Sequence, residues 1–101
     1  MFVVHGTFPI KPDSADELRA ALTDLQAATR AEAGCLSYEW SESVESPGTF
    51  YSIETWDSRA SLDRHMTTDA VKAAVANLPG WLAGAPALAG YETAEEITLP
   101  L

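Results

Sequence analysis

The apolar residues of this chain repeat every second position, then every third or fourth, and then switch back. The order of those switches leaves few folds open. In FVVHGTFPI, residues 2–10, Phe2, Val4, Phe8 and Ile10 share one face of a strand, while Val3, His5 and Thr7 share the other. Leu18, Leu22, Leu25 and Thr29 then fall at helical spacing, with Ala21 and Ala28 beside them. Ser14 with Glu17 three residues on predicts a capping box at the start of that helix, and Gly34 a left-handed stop after it. CLSYEWSES, residues 35–43, alternates again, with Leu36, Tyr38 and Trp40 on one face. The turn residues Glu45-Ser46-Pro47-Gly48 predict a hairpin to a third strand over 49–56. Ser58 is a cap for a short helix with Leu62, His65 and Met66 on one face. Thr67 or Thr68 caps its continuation, with Val71, Ala74, Val75 and Leu78 facing inward, until Pro79-Gly80 interrupts it. A last strand is expected over about 87–98.

The resulting order is βαββαβ, the ferredoxin-like arrangement: an α+β fold with a four-stranded antiparallel sheet and helices on one face. At 101 residues the chain is expected to form one domain, residues 1–101, with a single small core. The sheet face away from the helices would expose Tyr51 and Ile53 together with parts of the first two strands. A second copy, packed sheet to sheet about a two-fold axis, covers such a face most simply, so a homodimer is expected.

Charge and composition remove several functions. A net charge of −9 opposes nucleic acid and anionic membrane surfaces. Nowhere do 18 consecutive apolar residues occur, so no membrane partner is expected. Cys35 is the only cysteine, which excludes an internal disulfide and suits a small core position on a strand. MFVVHGTF lacks the basic and long apolar regions of a secretory leader, so the expected location is cytoplasmic. The two histidines and scattered acids have no metal-ligand spacing, and no phosphate-cradling glycine loop occurs.

One strand-to-helix unit, FYSIETWDSRASLDRH (residues 50–65), carries the chemistry. Alternation places Phe50, Ser52, Glu54 and Trp56 on one strand face, and helical spacing points His65 toward it with Leu62. A buried carboxylate needs a partner, and His65 can supply one, which would lower the pKa of Glu54. Two readings follow. The pair pins the helix to the sheet, or it forms a general base in a cavity walled by Trp56.

The segments TRAEAGCLSYEW, FYSIETWDSRASLDRH and TTDAVKAAV, taken together, resemble the antibiotic biosynthesis monooxygenase domain family. In that family a strand typically reads E-x-W with a His nine residues past the aromatic, here Glu54, Trp56 and His65. The resemblance extends from Phe2 to about Tyr91 and implies a dimeric α+β barrel with a pocket between sheet and helices. It implies a cofactor-independent monooxygenase that oxidises a small hydroxylated aromatic (a quinol, an anthrone or a related polyketide) with O2 and uses no metal, flavin or haem. His65 would be the base or proton relay, Glu54 would orient it, and Trp56, Ser52 and Tyr38 would bind substrate. Departures narrow the choice. The haem-degrading branch carries an Asn on the first strand and a His in the second helical region; here neither occurs, and Val75 stands near the expected His. The anthrone-oxidising branch commonly has an Asn four residues before the aromatic, where this chain has Ser52. The alternative is a non-catalytic small-molecule-binding or interaction dimer in which Glu54 and His65 are structural.

The uncovered apolar sheet face predicts a particle of twice the 10.8 kDa chain mass at micromolar concentration, measured by light scattering. A monomer under those conditions contradicts the expectation.

Overall fold

The computed structural model describes residues 1–93 and 95–101. Strands β1 (Phe2–Pro9), β2 (Cys35–Glu42), β3 (Thr49–Trp56) and β4 (Ala87–Glu92) form one antiparallel sheet in the order β2-β3-β1-β4. Helices α1 (Ala15–Arg30), α2 (Arg59–His65) and α3 (Asp69–Trp81) connect them. This is the expected ferredoxin-like α+β fold. Strand period decides which residues reach the core: along β3, Phe50, Ser52, Glu54 and Trp56 are buried, while Tyr51 and Ile53 are exposed. The register sets Val4 opposite Glu54 and Gly6 opposite Ser52 on β1, and Tyr38 opposite Glu54 on β2. Ala15, Leu18, Leu22 and Leu25 of α1, with Val71 and Trp81 of α3, close over this inner face. On the outer face His5 stacks on Tyr91, with ring centroids 5.5 Å apart.

Local chemistry moved several boundaries. Ser14 makes no side-chain cap: Pro12–Ser14 forms a 3-10 turn, so Ser14 already has helical backbone angles and its hydroxyl is not aimed at the free N–H groups. The two later caps do form, with Ser58 accepting from Ser61 N and Thr68 from Val71 N. A β-bulge lies between Cys35 and Ser37. It turns Leu36 outward, against expectation, and packs Cys35 against the core. Pro79 does not interrupt α3, which runs through it to Trp81. The proline removes one hydrogen bond near the helix end, while the buried Trp81 side chain anchors the last turn and Leu82 N still bonds Leu78 O. Strand β4 ends at Glu92, short of the expected 98: Glu92 pairs with Phe2, the first residue of β1, and one further pair of backbone bonds joins Thr93 to Met1. Of the expected extension, position 94 lies outside the described residues and 95–98 carry no strand.

Gly34 is the hinge between α1 and β2, four residues beyond the helix end rather than at it. Its φ is +84°, and a Cβ there would collide with the Ser61 side chain at the start of α2. Its carbonyl accepts from Asp57 N at 2.9 Å, so the same turn holds the end of β3. Both the backbone strain and the collision predict that Gly34→Ala loses about 2 kcal/mol or more, read from urea unfolding midpoints. A loss within ~0.5 kcal/mol would show that this junction is pliable.

Candidate functional site

A cavity of about 210 Å³ lies between the inner sheet face and helices α1 and α3. Its walls are mostly apolar, from Leu18, Leu22, Val71, Leu78 and Trp81 among others. Four polar side chains reach it: Tyr38, Ser52, Glu54 and His65. The volume falls below the ~300–1,000 Å³ of pockets for drug-sized ligands, which favours a small occupant. Gly6 leaves room for two side chains that line this space, because a Cβ at that position would collide with the Phe8 ring and the Ser52 hydroxyl.

Each polar group has a distinct environment. Ser52 is buried on β3, and its hydroxyl has no hydrogen-bond partner among the described residues. A buried hydroxyl left unpaired costs free energy, so Ser52 is a point where an occupant with a polar atom gains affinity. Tyr38 is buried on β2, and its oxygen accepts from the Trp40 indole N–H at 3.0 Å. Burial pushes the Tyr38 phenol up to about 12, so it stays neutral. Glu54 is buried beneath the helices, and its Oε1 accepts from the Trp56 indole N–H at 3.0 Å.

His65 ends α2 with its ring buried, its centroid 4.8 Å from that of Trp56 and 5.6 Å from that of Tyr38. Glu54 and His65 do share the helix-facing side of the sheet, as expected. Their nearest polar atoms, Glu54 Oε1 and His65 Nε2, are 4.0 Å apart, an electrostatic contact rather than a hydrogen bond. The hydrogen bond of His65 goes elsewhere, from Nδ1 to Glu32 Oε2 at 2.7 Å. Glu32 lies in the turn after α1. Sequence reasoning missed this partner, although the register supplies a signal: Cys35 pairs with Trp56, which brings the turn before Cys35 alongside the β3-to-α2 junction. Trp56, expected as a pocket wall, is completely buried and stands behind Glu54; it meets the cavity only through the carboxyl it binds. Tyr38 and Ser52 do line the cavity.

The charge state of Glu54 corrects an expectation. Burial raises its pKa, outweighing the opposing pull of the Trp56 hydrogen bond and of His65, and Glu32 adds a further push upward. A lowered value was expected because His65 was taken as a full ion-pair partner; at 4.0 Å its attraction does not offset the loss of water. Among the described residues, no group of three or more His, Cys, Asp or Glu side chains is arranged to hold a metal ion, and no helix is long and apolar enough to cross a membrane.

Comparison with known proteins decides the family. Residues 1–77 match the antibiotic biosynthesis monooxygenase family, ABM. The chain belongs to that family. It is 34% identical over 97 residues to "Uncharacterized protein sll1783" of Synechocystis, covering 96% of this chain and 66% of that protein. It is 41% identical over 62 residues to "Putative monooxygenase Rv0793" of Mycobacterium tuberculosis, covering 61% of this chain and 60% of that one. The chain therefore spans 66% and 60% of the lengths of these curated relatives. Among solved structures, a "putative antibiotic biosynthesis monooxygenase" of Deinococcus radiodurans superposes with a TM-score of 0.90 at 33% identity, over 99% of both chains. The solved structure of Rv0793 superposes at 0.87 with 30% identity, over 96% of this chain and 98% of that one. The ferredoxin-like ABM fold is thus shared along nearly the whole chain.

The raised Glu54 pKa gives a signed prediction. The folded state holds the Glu54 proton more tightly than the unfolded chain, so this group's contribution to stability is full below the ordinary carboxylate pKa. It is lost as pH rises through the folded value. Glu54→Gln keeps an acceptor for Trp56 and removes the titration, so its stability should fall less than that of the unaltered chain between pH 5 and pH 8. Glu54→Leu removes the acceptor and should cost about 1–3 kcal/mol relative to Glu54→Gln. Urea unfolding across that pH range checks both; an equal pH slope in Glu54→Gln and the unaltered chain contradicts the first.

Proposed function

We propose that this ABM-family chain is a cofactor-independent monooxygenase acting on a small hydroxylated aromatic with O2. The observation that carries the reading is a mostly apolar cavity whose few polar groups include a buried imidazole and an unpartnered hydroxyl. Flat aromatic surface suits the apolar walls, and a phenolic oxygen suits Ser52 and His65.

The chemistry needs a base and a dry space. His65 takes a proton from the activated substrate, leaving an electron-rich anion. The anion passes one electron to O2, and the resulting carbon radical and superoxide combine through a new C–O bond. The peroxide takes up a proton, its O–O bond breaks, and loss of the remaining C–H proton with hydroxide leaves a carbonyl and water. For a methylene between phenolic rings the balance is CH2 + O2 → C=O + H2O, with all four electrons supplied by the substrate. Apolar walls limit premature protonation of the anion. Glu54, whose burial favours its neutral form, faces the same space and is suited to return a proton to the peroxide.

A homodimer is part of this proposal. The outer sheet face leaves Tyr51, Ile53 and Tyr91 exposed beside the His5–Tyr91 stack, which supports a second copy as its cover.

Oxygen uptake with a panel of quinols, anthrones and naphthols tests the activity. His65→Ala is expected to slow uptake by about 10²–10⁴-fold with the fold retained, and 18O2 should label the product carbonyl. Uptake unchanged in His65→Ala removes His65 from the mechanism. Saturable binding with no uptake on any member of the panel favours the non-catalytic binding dimer.

A further inference from the structure

We propose that Glu32 is the positioning residue of this site: it accepts the Nδ1–H of His65 and so holds the tautomer whose Nε2 lone pair faces the cavity. The inference deepens the reading of His65 as base and rests on it for its catalytic consequence.

Neutral imidazole carries one proton on either nitrogen, and the partner of one nitrogen fixes the chemistry of the other. Here the partners differ. Nδ1 lies 2.7 Å from Glu32 Oε2, the length of a strong, charge-assisted bond. Nε2 lies 4.0 Å from Glu54 Oε1, too far to bond it. A carboxylate only accepts, and the Glu32 side chain reaches solvent, being 20% exposed against 3% for His65. The proton therefore belongs on Nδ1, and Nε2 is left bare on the cavity side.

Rigid elements hold Glu32 in place. Its N–H donates to Thr29 O at 3.0 Å, and its carbonyl accepts from Cys35 N at 3.2 Å. Cys35 is in turn paired with Trp56 across the sheet. The carboxylate is thus delivered by the end of α1 and the start of β2 to a histidine on α2.

The gap on the other side of the ring completes the argument. A substrate hydroxyl oxygen at about 2.8 Å from both Nε2 and Glu54 Oε1 is geometrically allowed, because their 4.0 Å separation is less than twice that length. Such a hydroxyl, on the enol tautomer of the methylene substrate, donates its proton to Nε2 and leaves one C–H on the reacting carbon. With the proton on Nε2 instead, the ring would present a donor to the cavity and could not act as base there.

Nitrogen-15 NMR of the histidine-labelled full chain, at a pH where the imidazole is neutral, reads the tautomer directly. His5→Gln assigns the two rings. The unaltered chain is expected to show a protonated Nδ1 and a bare Nε2 for His65. Glu32→Gln keeps the side-chain size but can turn its amide N–H2 toward Nδ1, so it should shift the proton toward Nε2 and lower kcat at least tenfold. Glu32→Leu should move the proton predominantly to Nε2 and lower kcat at least tenfold with less change in KM, as a misplaced tautomer does in other His bases. A bare Nδ1 in the unaltered chain overturns the proposal, and does so even if Glu32→Leu fails to fold. An unchanged tautomer in folded Glu32→Leu overturns it as well. The tautomer is read without substrate, so an absence of oxygen uptake in the unaltered chain would defeat the proposed reaction and leave the NMR result to decide the role of Glu32.

Discussion

The site depends on how a carboxyl group survives under a layer of helices. Glu54 is largely removed from water, and the protein meets the cost in two ways: the Trp56 indole donates to one oxygen, and burial shifts the group toward its neutral form. Neither requires a full ion pair with His65. The imidazole is thereby released to bond Glu32, and one ring ends up between two carboxyl groups of different character. One is near solvent and hydrogen-bonded to the ring; the other is buried and just out of reach.

That asymmetry gives the cavity its chemical direction. Its walls are apolar except for Tyr38, Ser52, Glu54 and His65. Tyr38 is occupied by Trp40 and kept neutral, whereas the Ser52 hydroxyl has no partner among the described residues. Polar recognition is therefore concentrated along β3 and at the end of α2, on elements fixed by sheet pairing rather than on free loops. The small hydroxylated aromatic we propose as substrate suits that distribution, and the polar groups are set in the ABM fold.

Much of this could be read along the chain because period and burial agree. The alternation of β3 located Ser52, Glu54 and Trp56 on the inner face, and the helical spacing of Leu62 and His65 brought the imidazole over them. Where one residue had two competing uses, the reading failed. Ser14 looked like a cap but was drawn into a 3-10 turn, and Leu36 looked like core but was expelled by a bulge. Pro79 looked like a break, yet a buried Trp81 two residues on kept the helix together. Trp56 looked like a pocket wall and proved to be the buried donor to Glu54.

By itself the sequence determined the order of strands and helices, the inner face of each strand, and the three residues Glu54, Trp56 and His65 as one unit. Those follow from periodicity, which is local. Only the tertiary structure decided which acid bonds His65. Glu32 and His65 are 33 positions apart, and they meet because β2 pairs with β3 in a register that brings the turn after α1 alongside α2, at whose end His65 stands. A contact set by strand register has no signature within a helical or strand repeat, so the hydrogen bond that orients the imidazole had to come from the folded chain.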